Sequence, residues 1–359
     1  MDNPSGANSL LREFKTGFPR FLLVGYFGFG NLGDDCILEA WKRRLCDVFS
    51  GSRLAVVGPA CISFKKDRDG LIWLPRFSWG GILRYMLASQ GVIFPGGGLW
   101  QDVSSSGSFY YYLSLLVMAF LLRKKTILWA QGIGPLRSGL HRKLARFFTG
   151  RADIVSVRDA PGAEWFGKSG RHVFYVPDPA VSFQPVGKPR PAGRNPRVGL
   201  ALSLNCHPDP KMQGLISALE KAGCRVVRIF CRDAPEDGME PEESAPIWRG
   251  SPESFLCNLS SLDLVVSSRL HPLIFSAVCS IPAVGLDWDP KIRAWQEQVG
   301  MPTVKLQAGE DLRLAEIILA LLHEKERITQ LLKERVDTLR RLEESEFQAL
   351  LGRIRAMFS

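Results

Sequence analysis

The sequence is poor in the features that mark membrane-spanning and disulfide-stapled proteins. No apolar run reaches the ~18–20 residues that a spanning helix needs, and the N-terminus lacks the charged-then-apolar pattern of a signal peptide. The 359 residues include eight cysteines but no CxxC pair, which argues against a zinc site and a disulfide framework. These absences favour a cytoplasmic protein with reduced thiols and no bound metal.

The rest of the composition is that of a globular protein, since 46% of the residues are hydrophobic and 23% are charged. Short apolar runs alternate with helix-like segments on both sides of a proline- and glycine-rich stretch at 184–197. Such alternation is typical of parallel sheets covered on both faces. We therefore predict an α/β fold with two doubly wound, Rossmann-like domains, over 1–186 and 187–310. A helical segment over 311–359 is predicted to pack back on the domains.

The positive charge is confined to one half of the chain. The formal net charge is +10; residues 1–186 contain 23 Lys and Arg against 13 Asp and Glu, whereas the remaining residues contain 23 of each. A basic half favours an anionic partner: a phosphorylated substrate, a membrane surface or nucleic acid. The basic residues do not form one tract, which argues against nucleic acid. A basic face that only keeps the protein soluble is the simplest alternative.

A glycine-rich loop follows the first predicted strand. Residues 25–35 read GYFGFGNLGDD and match the GxGxxG dinucleotide-binding pattern at 28–33. A dinucleotide site also needs an acidic residue at the end of the second strand, but that strand ends in Val-Gly-Pro-Ala. Asp34 and Asp35 add negative charge where a pyrophosphate would lie. No nicotinamide or flavin cofactor is therefore expected.

Two further glycine-rich segments follow strands of the first predicted domain, FPGGGLWQD at 94–102 and WAQGIGP at 129–135. Glycine lets the backbone approach a ligand closely, and ligands of parallel sheets bind beyond the carboxyl ends of the strands. All three glycine-rich loops are therefore expected to line one rim of the first domain. The candidate ligand-binding residues on them are Gly30, Asn31, Gly97, Gly98, Asp102 and Gln131.

Basic side chains also follow predicted strands. Arg158 ends a strand in the first half, and Arg269 and His271 end one in the second half, where Pro272 marks the first turn of a helix. A helix N-terminus attracts anions, and arginine offers a bidentate fork to a carboxylate or phosphate. Histidine is suited to moving a proton near neutral pH. With Lys291 after the next strand, these residues predict an anion site with a proton-transfer group; a structural histidine and a solvated lysine are the alternatives.

The ordered set of motifs resembles the polysaccharide pyruvyl transferase family, in particular the bacterial enzymes that pyruvylate cell-wall polymers anchoring S-layers. The matching segments are GYFGFGNLGDD (25–35), FPGGGLWQD (94–102), AQGIGP (130–135), SVRD (156–159), PDPA (177–180), SSRLHPLIFSA (267–277) and PAVGLDWDPK (282–291). The resemblance implies a fold similar to GT-B glycosyltransferases, with two domains facing a cleft. It also implies transfer of pyruvate from phosphoenolpyruvate to a sugar as a ketal.

The resemblance also implies roles for individual residues. The family's phosphoenolpyruvate-binding arginines and its RLH triplet fall on Arg158, Arg269, Leu270 and His271, and the lysine of its DPK motif falls on Lys291. Ketal formation needs an acid for the methylene carbon, cations for the carboxylate and phosphate, and a base for two attacking hydroxyls. The histidine is the favoured acid, and the arginines and the lysine are the cations. The candidates for the base are Asp34, Asp35 and Asp102.

The expected acceptor is a lipid-linked or polymeric sugar of a cell-wall or surface polysaccharide precursor, for instance one that contains N-acetylmannosamine. A lipid diphosphate lies at an anionic leaflet, so the basic first domain is expected to carry the acceptor and to meet the inner face of the cell membrane. The candidate membrane contacts are residues 123–125, Arg142, Lys143 and Arg146. The alternatives are a GT-B nucleotide-sugar glycosyltransferase and a non-catalytic basic protein.

Overall fold

The computed structural model describes residues 21–48, 54–59, 71–103, 105–167, 173–186, 195–202, 210–231, 246–305 and 311–358. The chain divides into two compact units. The first unit comprises Met1–Phe29, Trp41–Val155 and Gly352–Ser359, and the second comprises Gly30–Ala40 and Ser156–Leu351. Most of the predicted linker at 184–197 lies outside the described residues, and the predicted domain limits at 186 and 310 stay a prediction.

The first sheet is formed by strands that alternate with helices. Its strands are β1 (Phe21–Leu23), β2 (Leu54–Gly58), β3 (Ile72–Pro75), β4 (Gly91–Phe94), β5 (Gly97–Trp100), β6 (Lys125–Ile133), β7 (Ile154–Val157) and β8 (Phe174–Tyr175). The intervening helices are α1 (Leu32–Val48), α2 (Trp79–Ala88), α3 (Ser106–Leu121), α4 (Gly139–Thr149) and α5 (Ala160–Gly167). The strand order is β3-β2-β1-β4-β6-β7-β8, and β5 pairs with β6. The central strands run parallel, with Phe21 of β1 in register with Leu54 and Gly91.

The second sheet has five strands within the described residues, in the order β10-β9-β11-β12-β13, all paired in parallel. These strands are β9 (Arg197–Ala201), β10 (Arg225–Arg228), β11 (Leu264–Ser267), β12 (Ala283–Leu286) and β13 (Thr303–Val304). The helices of this half are α6 (Pro210–Lys221), α7 (Pro252–Leu259), α8 (Leu270–Val278), α9 (Pro290–Val299), α10 (Asp311–His323) and α11 (Lys325–Phe358). Parallel strands need such helical crossovers, because consecutive strands must start at the same edge.

The second sheet is buried on both faces. Successive side chains of a strand point to opposite faces; accordingly Val265 belongs to one apolar cluster, and Leu264 and Val266 belong to another. The first of these clusters also contains Leu32 and Cys36 of α1. Because these two residues lie one helical turn apart, they anchor the start of α1 in the second unit.

The long C-terminal helix predicted from the sequence is confirmed as α11. Its apolar residues Ile328 and Leu332 lie in the core of the second unit. Lys325, at its first position, forms a buried ion pair with Asp263. Arg340 donates to the carbonyl of Val181 over 3.2 Å, so this helix also contacts the segment that follows Asp178.

Several elements differ from the sequence-based prediction. The glycine-rich segment 94–102 was expected to be a loop, but Gly97–Trp100 forms strand β5, which pairs with β6. Glycine disfavours strands, so the sequence of this segment does not predict a strand. Strand β5 is recognised only by its pairing with β6. Strand β3 and helices α2 and α7 were not predicted from the sequence.

Among the described residues, the helices are all too short or too polar to cross a membrane.

Candidate active site

The candidate site lies in the second unit, where separate chain segments bring polar side chains together. Arg158 directly follows β7, Asp178 follows β8, and His271 lies in the first turn of α8, just after β11. All three therefore lie beyond the carboxyl ends of strands, where ligands of parallel sheets bind. Asp34, in the first turn of α1, completes what we call the His271 cluster: Asp34, Arg158, Asp178 and His271.

Arg158 and Asp178 form a buried ion pair. The guanidinium Nη1 lies 2.5 Å from Oδ2 of Asp178, and both side chains are at least nine-tenths buried. The other carboxylate oxygen accepts a hydrogen bond from the backbone N–H of Ala180 over 3.0 Å. Burial acts to raise the pKa of Asp178, but Arg158 and then His271 outweigh it and hold that pKa below its ordinary value. Asp178 is therefore a fixed negative charge.

His271 faces this fixed charge. Its Nε2 lies 3.8 Å from Oδ2 of Asp178, and among the described residues this buried nitrogen has no hydrogen-bond partner. Burial lowers the pKa of His271 to about 4; Asp178 opposes this shift, whereas Arg158 and Lys291 add to it. The imidazole is therefore neutral at pH 7, and the carboxylate of Asp178 is placed to stabilise it once it gains a proton.

Gly33 packs against the His271 ring. A Cβ atom at position 33 would lie 2.0 Å from Nδ1 of His271, which no packing of the present ring allows. The His271 ring can therefore occupy its buried position only because residue 33 has no side chain. The glycine pattern of the first loop thus supports a side chain some 240 residues further along the chain (from position 33 to position 271).

We expect Gly33→Ala to expel the imidazole from its buried position. Without that burial, the pKa of His271 should rise from about 4 towards its ordinary value of 6.5. The measurement is an NMR titration of the histidine ring protons, with His271→Asn used to assign the resonance. Gly80→Ala is the matched control, because nothing lies within 4 Å of a Cβ atom there. An unchanged titration in Gly33→Ala would contradict this account of the packing.

Asp34, the residue after Gly33, is a buried carboxyl group within electrostatic reach of Arg158 and Lys291. Burial and the neighbouring charge of Asp35 raise its pKa to about 7, although a hydrogen bond from the Asn31 amide and the charges of Arg158 and Lys291 oppose that shift. A carboxyl group with this pKa is about half protonated at neutral pH. It can therefore donate or accept a proton there. The sequence named Asp34 as a candidate base, but the burial that raises its pKa depends on the fold.

The other predicted site residues of the second unit contact the surrounding protein in different ways. Oδ2 of Asp35 accepts from Nε1 of Trp248 over 3.4 Å. Leu270 is buried in the apolar core. Nε of Arg269 donates to the carbonyl of Leu202 over 3.3 Å. Contact between these side chains and a substrate stays a prediction.

Lys291 opens helix α9 and carries a partly exposed positive charge. Its Nζ lies 3.0 Å from Oδ2 of Asp289, and its side chain is 37% exposed. The charge lowers the pKa values of both Asp34 and His271, so it lies within electrostatic reach of the His271 cluster. A cation in this position suits a phosphate or carboxylate ligand.

Asp102 and Gln131 belong to the first unit, where both organise the backbone. Asp102 accepts from the N–H groups of Arg137 and Ser138 and pairs with Nδ1 of His141 over 2.8 Å. These bonds hold its pKa near 2 despite the opposing effect of burial, which makes it a poor base. Gln131 is fully buried; its Oε1 accepts from Trp100 and its Nε2 donates to backbone carbonyls. Ligand binding by these two residues, and by Gly97 and Gly98 of β5, stays a prediction.

Sequence reasoning assigned no role to Gly33 or Asp178. Asp178 lies in the PDPA motif at 177–180, and Pro179 after it was the available signal for a capping aspartate. Nothing in the sequence says that its partner is Arg158, 20 residues earlier. Gly30 has a left-handed backbone with a φ of 68°, which explains the need for glycine there.

Comparison with solved structures shows a fold shared with sugar-nucleotide enzymes. The glycotransferase of kitacinnamycin has a TM-score of 0.60 at 11% identity, covering 96% of this chain and 100% of that one. HepE of Anabaena in complex with UDP-glucose has a TM-score of 0.59 at 12% identity, covering 92% and 99%. UDP-GlcNAc 2-epimerase from Neisseria meningitidis bound to UDP-GlcNAc has a TM-score of 0.56 at 11% identity, covering 93% and 100%. Identities this low show the fold alone, and they confirm the predicted GT-B-like α/β class.

A match at the level of sequence is more specific. Among functionally curated proteins, none matches this sequence. A family model described as polysaccharide pyruvyl transferase matches residues 31–290, which is most of the chain and includes every member of the His271 cluster. The resemblance seen in the ordered motifs is thereby confirmed, and this chain belongs to the polysaccharide pyruvyl transferase family.

Proposed function

We propose that the enzyme takes pyruvate from phosphoenolpyruvate, attaches it as a ketal to two hydroxyls of one sugar, and releases phosphate. The observation that supports this donor is the His271 cluster. It combines a buried imidazole nitrogen with no hydrogen-bond partner in the described part of the chain, a carboxyl group with a pKa of about 7, and nearby cations. An enol phosphate that also carries a carboxylate needs proton transfer and positive charge at one place.

The proposed reaction proceeds in two additions at the same carbon. An acid protonates the methylene carbon of phosphoenolpyruvate, which leaves an oxocarbenium-like centre at C2. One sugar hydroxyl attacks C2 and gives its proton to a base. The C2–O bond to phosphate then breaks, and the second hydroxyl attacks and also loses its proton. The two hydroxyl protons balance the one now on the methyl group and the one that leaves with phosphate.

The environments of Asp34 and His271 support a division of labour between acid and base. Asp34 is partly protonated at pH 7, so it is the proposed acid for the methylene carbon. His271 is neutral, so it is the proposed base for the sugar hydroxyls, and Asp178 stabilises the imidazolium that forms. This reverses the role that the sequence favoured for His271.

The cations have different proposed tasks. Arg158 is committed to Asp178 through Nη1, so its main task is to fix the carboxylate that faces His271. Arg269 and Lys291 are the proposed partners of the donor's carboxylate and phosphate. The negative charge of the bound donor would raise the pKa values of both Asp34 and His271, because opposite charge favours the protonated forms.

The proposed acceptor is a lipid-linked or polymeric sugar of a surface polysaccharide, presented at the inner face of the cell membrane. A sugar that contains N-acetylmannosamine would offer the two neighbouring hydroxyls that a cyclic ketal needs. The glycine-rich segments of the first unit are the proposed acceptor-binding region. The GT-B-like fold keeps a nucleotide-sugar glycosyltransferase as the second candidate, since HepE is described in complex with UDP-glucose.

The pH dependence of kcat/KM for phosphoenolpyruvate tests the acid–base assignment. We expect the rate to fall above pH 7 as Asp34 loses its proton, and to fall below pH 4 as His271 gains one. Asp34→Asn should remove the alkaline limb together with most of the activity. Asp35→Asn should keep that limb but move it to lower pH, because the charge of Asp35 helps to raise the pKa of Asp34. A wild-type profile that stays flat from pH 6 to 8 would refute the assignment.

The donor is identified by product analysis. The enzyme is incubated with a lipid-linked disaccharide and either phosphoenolpyruvate or a UDP-sugar, and the product is weighed by mass spectrometry. The proposal expects a ketal and free phosphate from phosphoenolpyruvate. Sugar transfer from the UDP-sugar, with no ketal from phosphoenolpyruvate, would select the glycosyltransferase instead.

A further inference from the structure

Helices α2, α3 and α4 form one layer on one face of the first sheet. They connect β3 to β4, β5 to β6 and β6 to β7, and all three connections run in the same direction across the strand order. Crossovers between parallel strands are right-handed, so the three helices lie on the same side. Helix α1 connects β1 to β2 in the opposite direction and is placed on the other side.

Ring contacts show that the three helices lie side by side. The ring centroids of Trp79 in α2 and Tyr111 in α3 are 5.8 Å apart. Those of Phe120 in α3 and Phe148 in α4 are 6.4 Å apart. One side of this layer packs on the sheet, and the other, which we call the outer face, is directed to solvent.

Helices α2, α3 and α4 all expose large apolar side chains. They are Trp79, Leu83, Leu87, Leu121, Leu140 and Phe147. The first three are spaced by four residues and form one stripe of α2, and the last two are seven residues apart on one stripe of α4. Leu121 is 78% exposed and Leu140 is 57% exposed. A grouping of this kind marks an interaction surface.

The charge of this region is almost entirely of one sign. From residue 71 to residue 152 the sequence has ten Lys and Arg and a single acidic residue, Asp102. That carboxylate is buried against His141, so it contributes little to the surface. Arg84, Arg123 and Lys143 are exposed and have no carboxylate within salt-bridge distance among the described residues. Apolar side chains between unpaired cations match an anionic bilayer, which offers hydrocarbon beneath phosphate groups.

We propose that the outer face of α2, α3 and α4 docks on an anionic lipid bilayer and inserts its apolar side chains below the headgroups. The cations between them lie against lipid phosphates. The sequence predicted only an electrostatic attraction between basic residues and the membrane. The proposal adds a defined surface whose apolar side chains enter the bilayer. The inference rests on the proposed function only in that a lipid-linked acceptor would be presented at the same bilayer.

Vesicle flotation with the full-length protein tests the proposal. The probes are vesicles of phosphatidylglycerol mixed with phosphatidylcholine and vesicles of phosphatidylcholine alone. Wild-type protein should float with the anionic vesicles, and a fraction should stay bound at ~1 M salt, where the attraction between charges is screened. The variant L121S/L140S/F147S should lose that salt-resistant fraction and bind about tenfold less at low salt. The variant R142E/K143E should lose mainly the salt-sensitive part.

The matched control is Leu312→Ser, which removes an equally exposed leucine (69%) from the second unit and should bind like the wild type. Equal binding of L121S/L140S/F147S and wild type would overturn the proposal, as would failure of the wild type to bind anionic vesicles. A wild-type dimer that this variant dissociates would assign the face to a second copy and also overturn it. Transfer to a lipid-free acceptor, measured in parallel, reports on the proposed function separately, because none of these variants touches the His271 cluster.

Discussion

His271→Asn is expected to lower the kcat for pyruvyl transfer by about 10²–10⁴-fold, the range that a positioned acid or base contributes. The asparagine keeps a polar side chain of similar width but cannot take a proton from the sugar hydroxyls. The control is His323→Asn, at the exposed end of α10, which should leave the kcat unchanged. Steady-state kinetics with phosphoenolpyruvate, combined with circular dichroism of each variant, make the measurement.

Two readouts separate proton transfer from a merely structural histidine. A structural role predicts that His271→Asn lowers the free energy of unfolding, whereas proton transfer predicts a folded protein with a slow chemical step. Activity within a few-fold of the wild type, in folded protein, would remove His271 from the mechanism.

Asp178→Leu is expected to destabilise the second unit by about 3–5 kcal/mol, because the buried Arg158 guanidinium then keeps only the longer ion pair with Asp159, over 3.9 Å. The double variant R158M/D178L should recover part of this loss, since it removes both charges of the pair, although buried Asp159 then loses the guanidinium 3.9 Å away. It should nevertheless remain inactive, because His271 then lacks the carboxylate that stabilises its protonated form. Urea unfolding gives the stabilities and product analysis gives the activity.

Glu324→Gln is the matched control for this pair. It breaks the exposed ion pair between Glu324 and Arg327, and exposed pairs contribute only about 0–1 kcal/mol. If R158M/D178L regains both stability and activity, the pair serves packing alone, and the role given to Asp178 in catalysis is wrong.

The order of strands and helices along the chain could be predicted from the sequence because both depend on local patterns. Apolar runs of four residues with glycine or proline on at least one side, at 21–24, 91–94 and 283–286, predicted β1, β4 and β12 within one or two residues. Parallel pairing follows from the helices between them. The ordered motifs carried the family, and the positions of Arg158 and His271 after strands indicated where ligands bind. These inferences need only short-range periodicity and the rule that parallel strands end at one edge.

The sequence by itself therefore determined the α/β class, the family and the segments that bear the site; the tertiary structure decided which side chains meet there. Arg158 appeared to be a free clamp, but in the fold it is paired with Asp178, because a buried guanidinium needs a counter-charge. The sequence indicated no role for Gly33, but in the fold it makes room for the ring of His271. Asp34 was one of three candidate bases in the sequence, and only its burial in the fold raises its pKa to about 7. Burial and ion pairing depend on contacts between residues that are far apart along the chain. A local sequence pattern does not show which distant residues come into contact.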